Sequence, residues 1–458
     1  MARPPAAAPL SQSSPASSSS AANRNGSGSG SGSGGAAPPS GPPQDNVFRH
    51  SGFTAFLVAR LVAVVATQVQ AVVVAWQVYD LTRDPLALAY VGLAQFLPML
   101  CLLLPAGDLI DRFDRRRILT MGWAVGAVCS ALLWWLSGHG ASGVNGIYAV
   151  LVLYGCSRAF SGPSMQSLLP QIVPRSQLAQ AIAANSMLMR GAAVGGPLLG
   201  GFLYALGGGL LTYAVCCGCF VLGTLLLQRV TVAHAGPRGP VQGTMAQRFG
   251  AGIAFIRTRP IILGTISLDL FAVLLGGVVA LLPIYAQEVL HIGPAGLGAL
   301  RSAMALGEVG VGLFLSMHPI SRNVGRTMFI AVAVFGAANL VFSVSHWFWL
   351  SFVALAVAGG ADMVSVYIRG ALVQFSTPDH MRGRVNAVNM LFIGSSNELG
   401  EFRAGTSAAW LGAVPAAVFG GLCTLGVVAI WMGGFPTLRK VDQFEEAAET
   451  SATRSPAI

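Results

Sequence analysis

The sequence predicts an all-α polytopic membrane protein with twelve transmembrane helices in two pseudo-symmetric six-helix bundles. Three observations carry that expectation. Of 458 residues, 54% are hydrophobic and only 10% are charged, whereas a soluble domain carries about 25% charged residues. Apolar runs long enough to cross a hydrocarbon core, which takes roughly 20 helical residues, recur twelve times. The runs also fall into two sets of six that resemble each other.

Residues 1–46 are low complexity, rich in Ala, Pro, Ser and Gly. Such a segment cannot bury enough apolar surface to order itself. It lacks the apolar stretch of a secretory signal, and is expected to be a disordered cytoplasmic tail. The N-terminal bundle, 47–228, holds spans at 53–79, 86–107, 117–137, 146–170, 178–206 and 209–228. A polar stretch, 229–260, reads as a cytoplasmic central loop. The C-terminal bundle, 261–433, holds spans at 261–287, 296–317, 327–345, 348–375, 384–409 and 412–433. The remainder, 434–458, is charged and reads as a solvated cytoplasmic tail.

The formal net charge of +10 does not point to nucleic acid, because the positive residues sit in short turns between apolar runs. Arg112, Arg115, Arg116 and Arg117 follow span 2; Arg175 follows span 4; Arg322 and Arg326 follow span 8; Arg382 and Arg384 follow span 10. The alternate turns hold little beyond Arg83. Lys and Arg stay on the cytoplasmic side, so both termini are expected there. The seven cysteines all lie in apolar runs without metal-ligand spacing; they read as packing residues, and neither a metal nor a cofactor is expected.

The halves match without gaps around spans 4–5 and 10–11. Gly155, Leu168, Pro174, Ala183 and Asn185 fall on Gly359, Leu372, Pro378, Ala387 and Asn389, each 204 residues later. Parallel halves of this kind are a known transporter plan.

Three motifs stand out. The turn after span 2, "GDLIDRFDRRR", packs seven charges into eleven residues, Gly107 to Arg117. Span 4 contains "RAFSG", with Arg158 and Gly162. Span 5 contains "GGPLLGG", with Gly196, Pro197, Gly200 and Gly201. Together these resemble the major facilitator superfamily. Gly107, Leu109, Asp111, Arg112, Arg115 and Arg116 match its signature turn, although Asp114 replaces the usual Gly. The span 5 motif resembles that of the antiporter branch, and "TPDHMRGRVNAVNMLFIGSSNELGEF", Thr377 to Phe402, resembles the subgroup of the enterobactin exporter and macrolide efflux pumps.

That resemblance implies a major facilitator fold and a cytoplasmic latch at the signature turn, in which Asp111 meets the positive N-terminal end of span 11 while the cavity faces outward. Thr377 reads as the N-cap of that helix and Pro378 as its first residue. In the second half Ser321 stands in the place of Asp111, so the corresponding turn keeps its anchoring arginines and loses the acid. The span 5 motif implies a tight contact with span 8 that limits proton leak.

Ionisable residues at membrane depth are costly, and each is a functional candidate. Asp269, Glu308, Asp362, Glu398 and Glu401 are the candidates for proton coupling. Glu398 and Glu401, three apart, share a helix face. Two such carboxylates in low dielectric cannot both ionise easily, which suits a group that loads and releases a proton. Arg60, Gln68, Arg158 and Arg369 are the candidates for the cavity or substrate. Structural pairing is the alternative for every one of these charges. Arg403 has an acid within helical reach, whereas Asp362 and Arg369, seven residues apart, are about 10 Å apart along the axis and cannot touch directly. Gln70, Trp76 and Gln77 could line a path, while Trp76 and Tyr79 could equally be interfacial anchors.

No nucleotide-binding loop, nucleophile set or metal cluster supports an enzyme or an ATP-driven pump. The expectation is a monomeric, multi-pass secondary transporter of the cell (inner) membrane. It would export a small amphipathic or hydrophobic molecule of drug, macrolide or siderophore type by proton antiport with alternating access. Its partners would be the lipid bilayer, a small-molecule substrate and protons. An importer or uniporter of the same fold, or a sensor that no longer transports, is the alternative.

Overall fold

The computed structural model describes residues 51–139, 143–230 and 245–444. The tail 1–46, and the parts of the central loop and C-terminal tail beyond those ranges, lie outside the described residues. Spans 1 to 4 are the helices Ser51–Thr82, Pro85–Arg112, Arg115–Gly138 and Val144–Ile172. Spans 5 and 6 form one stretch, Leu178–Gln228, interrupted at Gly207 and Gly208. Gly208 takes a φ of +60° there, a left-handed conformation that glycine adopts without steric cost. Span 7 starts as Pro260–Gly276 and continues through irregular turns to a π-helical turn, Tyr285–Val289. Spans 8 to 12 are Gly293–Met317, Val324–Ser343, Phe348–Phe375, Asp379–Leu411 and Ala413–Gly434.

Among the described residues, nine helical stretches are long and apolar enough to cross a membrane, and one of them, Leu178–Gln228, holds two predicted spans. Val144–Ile172 and Asp379–Leu411 are long enough but more polar; they carry Arg158 and the Glu398–Glu401 pair. With these two included, the helices are consistent with the twelve predicted spans.

Two local expectations are corrected. The predicted loop contains a helix, Met245–Thr258. Its apolar side packs with Ile262, Val385 and Val388, and its Phe249 and Ile253 join that cluster. The composition of 229–260 as a whole hid this amphipathic segment. Span 11 begins at Asp379, with Pro378 at the N-cap position and no side-chain cap. The Thr377 hydroxyl is buried and makes no hydrogen bond, so it does not cap the helix; the carbonyl of Pro378 instead accepts from Met381 and Arg382. Asp114, the departure from the signature turn, caps span 3 by accepting from the backbone N–H of Arg116 at 2.9 Å, which satisfies one of the open donors at that helix start.

The duplication is visible in the packing. Gly155 of span 4 lies against the backbone of Gln95 in span 2, where an added Cβ would stand 3.0 Å from its Cα. Gly359, its partner in the repeat, lies against the backbone of Met304 in span 8, where an added Cβ would stand 2.9 Å from its Cα. The same small residue does the same job in both halves: it lets two helices approach to backbone contact.

The buried apolar clusters locate the junction of the halves. One belongs to the first half alone and includes Phe53, Phe56, Leu119 and Phe220. Another joins Val72, Trp76 and Tyr79 of span 1 to Leu281, Tyr285 and Leu300 of spans 7 and 8 and to Ala404 and Ala408 of span 11. All these residues lie toward the ends that carry the Arg-poor turns. Trp76 and Tyr79 are therefore neither membrane anchors nor cavity walls; both are buried in this cross-half core, with Trp76 edge-on to Tyr204. Tyr79 also donates a hydrogen bond to Glu288 of span 7. Gly405 of span 11 adds a close approach to Pro85 and Ala89 of span 2 at the same end.

Because both glycines face backbone, Gly155→Ala and Gly359→Ala should each destabilise the fold by about 1–3 kcal/mol through overpacking. Gly162→Ala, which adds a methyl where no atom lies within 4 Å, should not. Thermal unfolding of the three variants in detergent checks this. Equal melting curves would show that the glycine contacts do not hold the bundles.

Candidate functional site

Beneath the cross-half core lies a cavity of about 540 Å³ lined by both bundles. Gln68 and Gln70 of span 1, Gln95 of span 2 and Arg158 of span 4 face it from the first half. Arg301 and Glu308 of span 8, Asp362 of span 10 and Glu398 and Glu401 of span 11 face it from the second. Aliphatic groups such as Val74, Leu88, Val91 and Met304 cover much of the rest. The cavity thus combines apolar walls with a few convergent charges, as small-molecule sites do.

Arg158 and Asp362 occupy equivalent places. Each lies fourteen residues beyond the first residue of its helix, Val144 and Phe348 respectively, and both line the cavity. They do not pair with each other. Arg158 forms an ion pair with Glu398 at 3.4 Å, which crosses from one half to the other. It also reaches the Gln95 side-chain oxygen at 3.5 Å. Gly92 of span 2 opens room for this cluster: a Cβ there would stand 3.6 Å from a Glu398 carboxylate oxygen and 3.8 Å from one of Glu401. Both acids therefore face the first half, as their spacing on one helix face predicts.

Other candidates lie elsewhere. Asp269 and Arg369 form an ion pair at 2.5 Å, with both side chains almost fully buried. Arg369 is thus absent from the cavity lining and ties span 10 to span 7. Arg60 is also buried away from the cavity lining, and its Nε makes no hydrogen bond. Among the described residues, Arg403 pairs with no acid. It donates to the carbonyls of Leu274 and Gly277 at 3.3 and 3.2 Å, because span 7 leaves regular helix there and frees carbonyls that need donors.

The span 5 motif makes two contacts. Gly196 and Gly200 face Gln68 and Val69 of span 1, while Pro197 and Gly201 meet Gly298 of span 8 through backbone atoms. The Ser302 hydroxyl of span 8 donates to the carbonyl of Val194 at 2.7 Å, one turn before the proline.

In the signature turn, Arg115 donates to the carbonyl of Ser167 at 3.2 Å. Arg116 donates to the carbonyl of Leu227 at 3.1 Å and also to that of Gln228. These arginines hold the ends of spans 4 and 6, within their own half. Gly107 is partly buried and Arg112 exposed; the side chain of Asp111 lies outside the described residues.

Sequence reasoning missed Arg301. It lies in the same span as Glu308, seven residues earlier, and within electrostatic reach of Glu398 and Glu401. Its signal was available: an arginine inside a predicted span is costly wherever it occurs. Gln95 gave no comparable signal, since a neutral amide in an apolar run is common.

Two helical bundles around a shared, charged cavity define a membrane transporter of the major facilitator superfamily. The chain belongs to the transmembrane secretion effector family, whose model matches residues 45–457. It is a multi-pass membrane protein and a transporter rather than an enzyme. The chain is 30% identical over 415 residues to the multidrug efflux pump Tap of Mycobacterium tuberculosis, covering 86% of this chain and 96% of that one. It is 26% identical over 350 residues to the enterobactin exporter EntS of Citrobacter koseri, covering 74% of this chain and 81% of that one. Among solved structures, a bacterial homologue of the iron transporter ferroportin in its inward-facing state shares the fold, with a TM-score of 0.65 at 17% identity over 87% of this chain and all of that one.

Breaking a buried pair strands a charge, so Arg369→Leu should destabilise the protein by about 3–5 kcal/mol. The double variant Asp269→Leu, Arg369→Leu should recover much of that loss, because neither charge is left alone. Unfolding measured as a double-mutant cycle decides: additive losses would mean that the two residues do not form one interaction.

Proposed function

We propose that the chain is a secondary exporter of a small amphipathic or hydrophobic molecule, driven by proton antiport with alternating access. The observation that supports this best is the Arg158–Glu398 pair, which joins the two halves inside the cavity. An antiporter must not cycle when it carries neither proton nor substrate. A carboxylate of one half bound to a guanidinium of the other restrains that empty form. A proton arriving on Glu398 removes its charge and frees Arg158; a substrate that takes either partner does the same. Glu401 and Arg301, in the same cavity, keep the local charge balanced while one proton comes and goes.

Efflux is the direction supported by relatives named as a multidrug efflux pump and an enterobactin exporter. The substrate is then of drug, macrolide or siderophore type, and the aliphatic walls suit a molecule with substantial apolar surface. The Arg-rich turns favour the cytoplasmic side, which supports an inner-membrane protein with both termini cytoplasmic. With the cross-half core at the Arg-poor ends, the cavity in this conformation would open toward the cytoplasm, ready to load cargo for export. The latch read at Asp111 would engage when the cavity turns outward. One polypeptide holds a complete cavity, and the working unit is a monomer.

Two experiments test this. In proteoliposomes loaded with ethidium as a probe, a pH gradient should drive wild-type transport against a concentration gradient. Glu398→Gln should lower gradient-driven transport at least tenfold while exchange at equal pH survives; undiminished accumulation would sink the coupling role of Glu398. For orientation, cysteines placed at 138–145 should react with an impermeant thiol reagent on whole cells, and cysteines at 376–382 only after permeabilisation. The reverse pattern would overturn the assigned sidedness.

A further inference from the structure

Beside the cavity lies a second, much smaller chamber of about 10 Å³ between spans 7, 9 and 10. Asp269, Phe335, Asp362 and Ser365 line it. Asp362 and Phe335 also line the main cavity, so the two spaces share a wall. Ser365 is 2% exposed, and among the described residues its hydroxyl has no hydrogen-bond partner. A buried hydroxyl without a partner costs free energy and marks a place where a bound group completes the bonding. The chamber has the size that one water needs, and it offers the two to four polar partners that a buried water takes.

The spacing explains why a bridge is required. Asp362, Ser365 and Arg369 share a face of span 10 at intervals of three and four residues. Asp362 and Arg369 are about 10 Å apart along the axis, too far for direct contact, and Arg369 is already held by Asp269. Among the described residues, neighbouring charges act on the Asp362 carboxyl and no hydrogen bond reaches it. The charged groups facing it are Asp269 of span 7, Glu308 of span 8 and Arg369 of its own helix. One guanidinium thus stands near two chamber carboxylates.

We propose that the chamber is a water site, in which a single water held by Ser365 links Asp362 to the sealed Asp269–Arg369 pair and relays the Asp362 proton. In the relay, the proton of the Asp362 carboxyl passes to the water as the water gives one of its own to the free oxygen of Asp269. Asp362 is left ionised, Asp269 becomes neutral, and Arg369 keeps its charge. Nothing else is consumed. Asp362 is then the cavity-facing mouth of a proton store whose floor is closed to the cavity, and Ser365 is a positioning residue. The site stands apart from the Arg158–Glu398 tie, and its proton role rests on the antiport reading.

The test has two arms. A structure of the full chain in lipid, at a resolution that shows ordered solvent, should show one solvent peak within hydrogen-bond reach of Asp362, Ser365 and Asp269. Ser365→Val, which fills the chamber with methyl groups, should lose that peak. In proteoliposomes the same variant should lower ethidium transport driven by a pH gradient at least tenfold, with its pH profile displaced, while exchange at equal pH continues. Ser365→Ala removes the hydroxyl but leaves the space; it should give an intermediate loss and serves if the valine variant fails to fold. No solvent peak in the wild type would overturn the site, and undiminished gradient-driven transport in both variants would overturn the relay. A solvent peak together with wild-type transport that ignores the pH gradient would keep the site and remove the antiport reading instead.

Discussion

An ionised group within the membrane is costly unless a partner stands close by, and the seam between the halves depends on how two pairs of such charges are matched. An unpaired charge at depth costs several kcal/mol or more. The chain meets the constraint in two ways. Asp269 and Arg369 neutralise each other inside one bundle, with both side chains almost fully buried. Arg158 and Glu398 neutralise each other across the seam, in contact with the cavity. The first arrangement fixes helices in place. The second ties two bodies that have to move, so its strength depends on what enters the cavity.

The packing makes that seam possible. Side chains are removed where helices must meet: Gly155 and Gly359 within the bundles, Gly201 and Gly298 between them, and Gly92 beside the two acids. Apolar closure is concentrated toward the Arg-poor ends, where Trp76, Tyr79, Tyr285 and Leu300 form one core. Apolar contacts of this kind are non-directional and can part without leaving a charge exposed. The polar tie from Tyr79 to Glu288 sits beside them, next to a π-helical turn, a distortion frequent at functional sites.

Much of this was legible in the sequence because membrane insertion imposes strong patterns. The spans, their two sets of six and the split between Arg-rich and Arg-poor turns all follow from apolar length and charge placement. The equivalence of Gly155 with Gly359 and of Arg158 with Asp362 was visible as a constant offset. What was not legible was partner choice. Arg369 has no acid within helical reach in the sequence, and only the packing of span 10 on span 7 gives it Asp269. Arg403 turned to carbonyls because span 7 breaks at Gly276 and Gly277; the glycine pair marks the break in the sequence but not the donor that fills it. The helix Met245–Thr258 was lost in a polar average, and Thr377 looked like a cap until the backbone placed the helix start two residues later.

The central claim is that the charge on Glu398 holds the two halves in the conformation closed at the Arg-poor ends. Distances between spin labels test it directly. Leu81 and Trp410 are exposed near the Arg-poor ends of opposite halves, and Phe113 and Met317 are exposed near the Arg-rich ends. Labels at each pair, measured in lipid at a pH where Glu398 is ionised in the wild type, should show the Glu398→Gln population shifted. The Leu81–Trp410 distance should lengthen as the Phe113–Met317 distance shortens. Identical distance distributions in wild type and variant, at both ends, would contradict the account.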